Sequence, residues 1–301
     1  MKLFLASLWL FCAGLTAAET NIVPPRLVKR TIAPNKQLEG GPQSRQFTLK
    51  DGEVPFALFL PSPVTSPKCR LTVHFHTAAW FIIQEHVRRG ATHPLACFQL
   101  GEGSTVYRKP FEDRDRFDRC LRAIEAQLRG HSGMSNLAIS RLELSSFSAG
   151  YGAIREIVKS PAYTDRINAI VLADSMYGGF ETNSGNVRVP AREHIDPWIP
   201  FAQAARDGKK TFLITYSDVP TSAYASSSEC ARALLKNLGL THSDVADNNL
   251  DATKDPEFPL LRRTDVAGLH VWGYGGTNAQ AHLTHVRHLA DLWRAIDTDR
   301  R

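Results

Sequence analysis

The segment RLELSSFSAGYGAIREIVKS, from Arg141 to Ser160, decides the fold. Its first part, RLELS, is typical of a short buried strand, and the part from Ala149 onward spaces its apolar residues three or four positions apart, as an amphipathic helix does. The residues between the two, among them Ser146, Ser148 and Gly150, are small enough for a crowded turn. The segment therefore predicts a strand that turns sharply into a helix, with Ser148 at the turn.

Strand-like and helix-like segments alternate along the rest of the chain. Several of the strand-like runs are apolar without alternation, which is typical of strands buried on both faces. The alternation predicts an α/β fold: a mostly parallel central sheet with helices on both faces. The predicted strands are Phe56–Leu60, Arg70–Phe75, Arg141–Ser146, Ala169–Ala173, Thr211–Thr215 and Gly268–Gly273, and the predicted helices are Arg114–Arg129, Ala149–Ser160, Ser226–Gly239 and Gln280–Ile296.

The turn from Ser146 to Gly150 resembles the nucleophile elbow of the α/β-hydrolase family, whose usual pattern is G-x-S-x-G. Ser146 replaces the first glycine of that pattern. The resemblance extends from about Phe56 to the end of the chain and implies the α/β-hydrolase fold with Ser148 as a catalytic nucleophile. Without the resemblance, Ser148 can be interpreted as a helix N-cap, and that alternative stays open.

A serine nucleophile needs a histidine that accepts its proton and a carboxylate that orients the histidine. The family order along the chain is nucleophile, acid, histidine, so the resemblance implies a histidine after the last strand. His282 is the predicted base and His285 the alternative. Asp174 and Asp218 each follow a predicted strand. The glycine-bearing turn after Asp174 resembles a D-x-x-Y-G segment of some hydrolases of this class, and this resemblance favours Asp174 as the acid. Asp218 remains the second candidate.

Acyl transfer also needs two N–H donors for the oxyanion. The resemblance implies that one donor follows the nucleophile, at Ala149, and that the other lies in the loop after an early strand, at Thr77 or Ala78. Thr77 stands where the family usually carries glycine.

Two groups of histidines could be interpreted as parts of a metal site. His74 and His76 lie two residues apart on a predicted strand, and His285 and His288 continue one face of the terminal helix towards Asp291. No further Asp, Glu or Cys completes a ligand set at a useful spacing, and histidines on a helix surface usually face solvent. We expect His74 and His76 to have packing and hydrogen-bonding roles and His285 and His288 to face solvent, and we expect neither a metal nor a cofactor.

The N-terminus has the layout of a cleavable export signal: Lys2, an apolar run from Leu3 to Leu15, and small residues after it. The predicted organisation is a signal peptide at 1–18, an irregular proline-containing arm at 19–50 and an α/β-hydrolase domain at 51–301. A retained N-terminal anchor is the alternative. The expected location is secreted or periplasmic, without stable membrane insertion.

Charge and cysteine content limit the choice of partners. The formal net charge is +6, but the arginines form no basic stripe with interleaved aromatic residues, so nucleic-acid binding is not expected. Four cysteines follow the signal: Cys69, Cys97, Cys120 and Cys230. An even number in an exported chain predicts one or two disulfides, and four buried thiols are the alternative.

These observations predict a secreted carboxylic-ester hydrolase that forms an acyl-enzyme on Ser148. A serine peptidase or amidase on the same fold and a secreted binding protein without catalysis are the alternatives. The expected substrate is a small-molecule or carbohydrate-linked ester, and the sequence does not indicate an oligomeric state. A short cap is predicted at Glu181–Ile199, and the candidate pocket residues are Trp80, Phe81, Tyr151 and Tyr177.

Overall fold

The computed structural model describes residues 22–182, 188–245 and 258–297. The predicted signal peptide at 1–18 lies outside these residues, as does part of the predicted cap, at 183–187. No helix in the described ranges is long and apolar enough to cross a bilayer.

One ten-stranded sheet organises the chain, in the order β1-β2-β4-β3-β5-β6-β7-β10-β9-β8. The six central strands from β4 to β10 are parallel to one another, and antiparallel pairs close both edges. The strands are β1 Arg45–Asp51, β2 Val54–Leu60, β3 Lys68–Phe75, β4 Leu95–Phe98, β5 Ala138–Phe147, β6 Ile167–Ala173, β7 Thr211–Tyr216, β8 Ser243–Asp244, β9 Leu260–Val266 and β10 Leu269–Tyr274.

Helices cover both faces of this sheet and enclose two apolar layers. Parallel strands need crossover connections, and most of the helices lie in those crossovers. The helices are α1 Ala79–Arg89, α2 Ser104–Phe111, α3 Arg116–Ser132, α4 Tyr151–Ile157, α5 Pro161–Arg166, α6 Arg192–Ile195, α7 Ile199–Arg206, α8 Ser227–Asn237, α9 Ala279–Arg287 and α10 Leu289–Asp297, with 3₁₀ turns at Lys36–Leu38, Ser148–Gly150 and Asp196–Trp198.

All six predicted strands are present, and the predicted α/β architecture is confirmed. Strands β1, β4, β8 and β9 were not predicted, each for a local reason. β1 is an edge strand with mostly exposed or half-buried side chains, and β9 contains two arginines and an aspartate. β8 has only two residues. β4 is apolar and buried throughout, as a central strand should be, but its run of four residues is too short to stand out in the sequence.

The segment at 19–50 is less irregular than predicted. Its last residues, from Arg45, form β1, which pairs with β2 along its whole length. Nearer the N-terminus, Leu27 bridges Phe258 and is fully buried, and the Arg30 guanidinium lies 3.4 Å from a carboxylate oxygen of Glu85. This part of the chain is therefore docked on the domain despite its prolines.

The predicted terminal helix at 280–296 is two helices, α9 and α10, that meet at His288. His288 bonds Asp291 Oδ2 at 2.8 Å through Nδ1 and the carbonyl of Val28 at 3.0 Å through Nε2. These contacts hold His288 in a non-helical conformation between the two helices.

The expectation of disulfides is wrong. Cys69, Cys97, Cys120 and Cys230 are all free and buried. Cys97 lies in the apolar layer on one face of the sheet and the other three lie in the layer on the opposite face. Their side chains fill the core as small apolar groups, as buried cysteines commonly do.

Candidate active site

Ser148 lies on the turn between β5 and α4, as predicted, with a φ of 47° in the left-handed region. A non-glycine residue there is strained, and such strain is typical of functional sites. The turn also requires Gly150, because a Cβ at that position would lie 2.2 Å from the carbonyl oxygen of Phe75. The start of the helix is thus packed directly against the end of β3.

Ser146, which replaces the usual glycine, has a partner for its hydroxyl. The side chain is fully buried, and its Oγ lies 2.8 Å from Oγ of Ser175. Ser175 in turn donates to the carbonyl oxygen of Ser148 at 2.8 Å. The substitution therefore links the Ser148 turn to the end of β6 and leaves no buried hydroxyl without a partner.

The predicted histidine and the favoured acid are in contact. His282 lies in the first turn of α9, and its Nδ1 lies 2.8 Å from Oδ2 of Asp174. The imidazole stacks on Phe147, with ring centroids 4.5 Å apart. Phe147 directly precedes Ser148, so this stacking holds the imidazole beside the turn.

Asp174 is completely buried and lies directly after β6 with a φ of 44°. Ser217 donates to its Oδ2 at 2.5 Å, and Ser227 donates to its Oδ1. Tyr177 contributes a longer bond of 3.5 Å to Oδ1. Burial by itself raises the pKa of this carboxyl, but the hydrogen bond from His282, the electrostatic interaction with His285 and His282, and the hydrogen bond from Ser217 outweigh burial and hold the pKa well below its usual range.

An ionised carboxylate can only accept hydrogen bonds, so the Asp174 contact assigns a proton to Nδ1 of His282. In the neutral imidazole, Nε2 then keeps its lone pair. This is the protonation state that a general base needs.

Asp218 is placed elsewhere. Both of its carboxylate oxygens lie 3.1 Å from the Arg262 guanidinium, and its N–H donates to the carbonyl of Gly276. The pair is partly exposed to solvent. Asp218 therefore neutralises an arginine of β9, and its carboxylate does not contact His282.

The alternative base, His285, also lies away from the nucleophile. The side chain is 1% exposed, and its Nδ1 lies 2.8 Å from Oγ1 of Thr215 in β7. Burial lowers the pKa of His285 to about 4, so the ring is neutral at physiological pH. The expectation that His285 and His288 face solvent is wrong, because both side chains are buried.

The loop after β3, which carries the predicted donors Thr77 and Ala78, has an unusual backbone conformation. His76 and Thr77 both have positive φ, 78° and 72°. A positive φ is ordinarily left to glycine, which explains why glycine is usual at the Thr77 position. In the described ranges nothing accepts a hydrogen bond from the N–H of Thr77 or Ala78. Ala149 lies in the first turn after Ser148, where helical N–H groups lack internal acceptors.

His74 and His76 have separate surroundings. His74 is buried, bonds Ser145 and the carbonyl of His76, and burial lowers its pKa to about 3. His76 lines the cavity described below and bonds Tyr107 at 3.1 Å. Within the described ranges no group of three or more His, Cys, Asp or Glu side chains is arranged to hold a metal ion.

A cavity of about 1440 Å³ opens over Ser148. Ser148, His282, Thr77 and Ala149 all line it, so the predicted nucleophile, base and two of the predicted donors share one space. In the described part of the chain no hydrogen bond joins the Ser148 hydroxyl to His282. Such bonds are often long without substrate and tighten only in the reacting complex.

The pocket prediction is half correct. Tyr151 and Tyr177 line the cavity, whereas Trp80 and Phe81 do not. Trp80 is 38% exposed and Phe81 packs into the core. In the predicted cap segment, Trp198 is also a core residue, fully buried and stacked on Phe212.

Sequence reasoning missed three residues of the site. Ser217 had a usable signal, because it directly follows β7 at the edge where side chains of parallel strands converge. Ser227 begins α8, and no local pattern connects it with Asp174. Arg155 lies in the second turn of α4 and has the pattern of an ordinary polar position of an amphipathic helix.

Comparisons with known proteins give remote similarities. No protein-family model and no curated protein matches the chain. The solved structures similar to it include LpqC, a poly(3-hydroxybutyrate) depolymerase from Bordetella parapertussis, with 13% identity over 84% of this chain and 90% of that chain and a TM-score of 0.48. An acetyl xylan esterase from Aspergillus awamori has 10% identity over 77% and 93%, with a TM-score of 0.46. The feruloyl esterase module from Clostridium thermocellum has 12% identity over 90% and 94%, with a TM-score of 0.45.

The fold itself is recognisable from the chain's own geometry. A parallel sheet core carries Ser148 on a strained turn after β5, Asp174 after β6 and His282 after β10. The strand, sharp turn and helix around Ser148 have the same order as the nucleophile elbow that the sequence resembles. The chain has the α/β-hydrolase fold.

Proposed function

We propose that the protein is a serine hydrolase that cleaves carboxylic esters, with Ser148 as nucleophile, His282 as general base and Asp174 as the acid that orients it. The observation that carries the proposal is the 2.8 Å contact between His282 Nδ1 and Asp174 Oδ2, at the cavity that holds Ser148. A buried, ionised carboxylate behind an imidazole is the arrangement that keeps Nε2 available for the serine proton.

The proposed reaction proceeds in two halves. Ser148 Oγ attacks the ester carbonyl while its proton passes to Nε2 of His282. The oxyanion accepts hydrogen bonds from the N–H groups of Ala149 and of Thr77 or Ala78. His282 then protonates the departing alcohol, and the acyl group stays on Ser148. In the second half His282 takes a proton from water, the resulting hydroxide releases the carboxylic acid, and Ser148 regains its proton.

We propose an ester and not an amide as the bond that is cleaved, for a chemical reason. Esters have the better leaving group and demand less of the general acid.

We also propose that the protein is exported, with a cleavable signal at residues 1–18. N-terminal sequencing of the protein recovered outside the cytoplasm should begin close to residue 19, whereas an intact Met1 there would contradict the signal.

Labelling with a fluorophosphonate probe tests the nucleophile. Wild-type protein should be labelled, and Ser148→Ala should not. Ser66→Ala is the control, because Ser66 lies in the exposed loop between β2 and β3, outside the cavity. Labelling that persists in Ser148→Ala, or no labelling of the wild type, would contradict the proposal and favour a binding protein without catalysis.

A further inference from the structure

Arg155 is a buried cation at the wall of the active-site cavity. It lies in α4, seven residues after Ser148, is 5% exposed and lines the cavity. Its only hydrogen bond within the described chain runs from Nη1 to the carbonyl oxygen of Tyr177, at 3.3 Å. A guanidinium carries five N–H donors, so most of its hydrogen-bonding capacity is unused.

No carboxylate in the described ranges pairs with Arg155. The adjacent residue on α4, Glu156, is bonded to Lys159 at 2.6 and 2.8 Å. The other arginine of the cavity wall, Arg108, has its own ion pair with Glu112. Burial lowers the pKa of Arg155, which reports the cost of holding this charge away from water. Buried charges are ordinarily paired, and an unpaired one beside a catalytic serine needs a reason.

The position of Arg155 suits a ligand that also reaches Ser148. Ser148, Tyr151 and Arg155 are spaced by three and four residues and therefore share one face of the turn and helix. The Arg155 guanidinium lies 5.2 Å from the centre of the Tyr151 ring. Seven residues of helix span about 10 Å, and side chains of a helix lean towards its N-terminus, which is the end at which Ser148 lies.

We propose that the cavity selects esters that carry a carboxylate, and that Arg155 binds this second, non-reacting carboxylate while Ser148 attacks the ester carbonyl. A guanidinium presents two parallel N–H groups that match the two oxygens of a carboxylate. In the free protein the contact with the Tyr151 ring partly compensates the buried charge, and the substrate completes the compensation. The inference rests on the proposed function and narrows its substrate class.

Two matched substrate pairs test the inference and separate a carboxylate in the acyl part from one in the alcohol part. The first pair is the mono-4-nitrophenyl ester of glutarate and 4-nitrophenyl valerate. The second pair is 4-acetoxybenzoate and its methyl ester. The measured quantity is the ratio of kcat/KM for the charged member to that for the neutral member, which does not depend on the fraction of folded protein.

The wild-type protein should have a higher kcat/KM for the charged member than for the neutral member in one of the two pairs. Arg155→Gln should lower that ratio about 100-fold, as expected for a buried charge pair that loses one partner. Arg155→Lys should retain part of the preference, because it keeps the charge without the planar fork. Arg122→Gln, which removes an exposed arginine of α3, is the control and should leave the ratio unchanged.

Two results would overturn the inference: no charged preference in either pair, or a preference that survives in Arg155→Gln. Failure of the proposed function looks different, since then no ester is turned over. In that case calorimetry with monomethyl and dimethyl glutarate decides the inference. Tighter binding of the monoester that Arg155→Gln abolishes supports the carboxylate site, and equal binding of the two rejects it.

Discussion

Asp174 and His282 meet at 2.8 Å although 108 residues separate them along the chain. Asp174 follows β6, whereas the competing acid, Asp218, follows the neighbouring strand β7. The two strands are parallel and adjacent, so their ends deliver two carboxylates to one edge of the sheet. Only the Asp174 carboxylate is turned inward, where it accepts hydrogen bonds from Ser217 and Ser227.

Asp174→Asn should lower kcat by about 10⁴, because the amide cannot hold His282 in the correct tautomer. Asp218→Asn is the matched control, since Asp218 has only its partly exposed partner Arg262 to lose. It should retain activity within a few-fold. Turnover of an activated ester by both variants, with thermal unfolding as a check of folding, measures the difference. The reverse pattern would make Asp218 the acid.

Gly150→Ala should disturb the Ser148 turn, because the new Cβ would lie 2.2 Å from the carbonyl oxygen and 2.7 Å from the carbonyl carbon of Phe75. Backbone must move to relieve the clash, so we expect destabilisation of about 1–3 kcal/mol and loss of most probe labelling at Ser148. Both quantities are measured on one preparation, by urea unfolding and by fluorophosphonate labelling.

Gly130→Ala is the control for that substitution. Gly130 lies within α3, and a methyl group added there would meet no atom of a neighbouring segment within 4 Å. Alanine there should stabilise the protein by about 0.5–1 kcal/mol, because glycine is the poorer helix former, and should leave labelling intact. Equal behaviour of the two alanine variants would show that Gly150 is not held by the approach of β3.

Glu143→Gln should destabilise the protein in a pH-dependent way. Glu143 is buried on β5 and pairs with Arg70 and with Arg89, whose side chain is 1% exposed. Burial alone raises the pKa of Glu143, but the two guanidinium groups outweigh burial and lower it to about 2. The substitution leaves Arg89 with Asp297 as its remaining carboxylate partner, and we expect a loss of about 1–3 kcal/mol in the free energy of unfolding at neutral pH.

The sign of the pH effect follows from the lowered pKa. Glu143 stabilises the fold at pH values above its ordinary pKa, and this contribution disappears as the pH falls towards the pKa of the folded state. The difference between wild type and Glu143→Gln should therefore be largest near pH 7 and shrink in acid. Urea unfolding at a series of pH values measures it. A difference that grows in acid would contradict the assignment.

The four cysteines should be unreactive in the folded protein. Burial raises the pKa of Cys69 to about 11 and that of Cys120 and Cys230 to about 12, and it raises the pKa of Cys97 further. A thiol reagent at mildly alkaline pH should modify none of the four until denaturant is added, and a reductant should not change the melting temperature. Peptide mapping of a disulfide between any two of them would refute the prediction.

Much of the site was predictable because its signals are local. A strand, small residues and a helix within twenty residues predict the Ser148 turn. His282 follows the last strand in the alternation of strands and helices. The edge strand β1 and the strand β9, which is next to the opposite edge, were not predictable in this way, since neither carries an apolar run. The break at His288 was hidden as well, because its cause is a contact with Val28 at the other end of the chain.

The sequence by itself determined the α/β alternation, the turn at Ser148 and the position of His282, because each depends on residues close together in the chain. Only the tertiary structure showed that Asp174, and not Asp218, contacts His282, since both follow parallel strands and differ only in the direction their side chains take and the hydroxyls that meet them. It also decided that the cysteines stay apart on two faces of the sheet. Finally, it left Arg155 buried at the cavity without a carboxylate from the described segments, because whether a charge has a partner depends on contacts between distant parts of the chain.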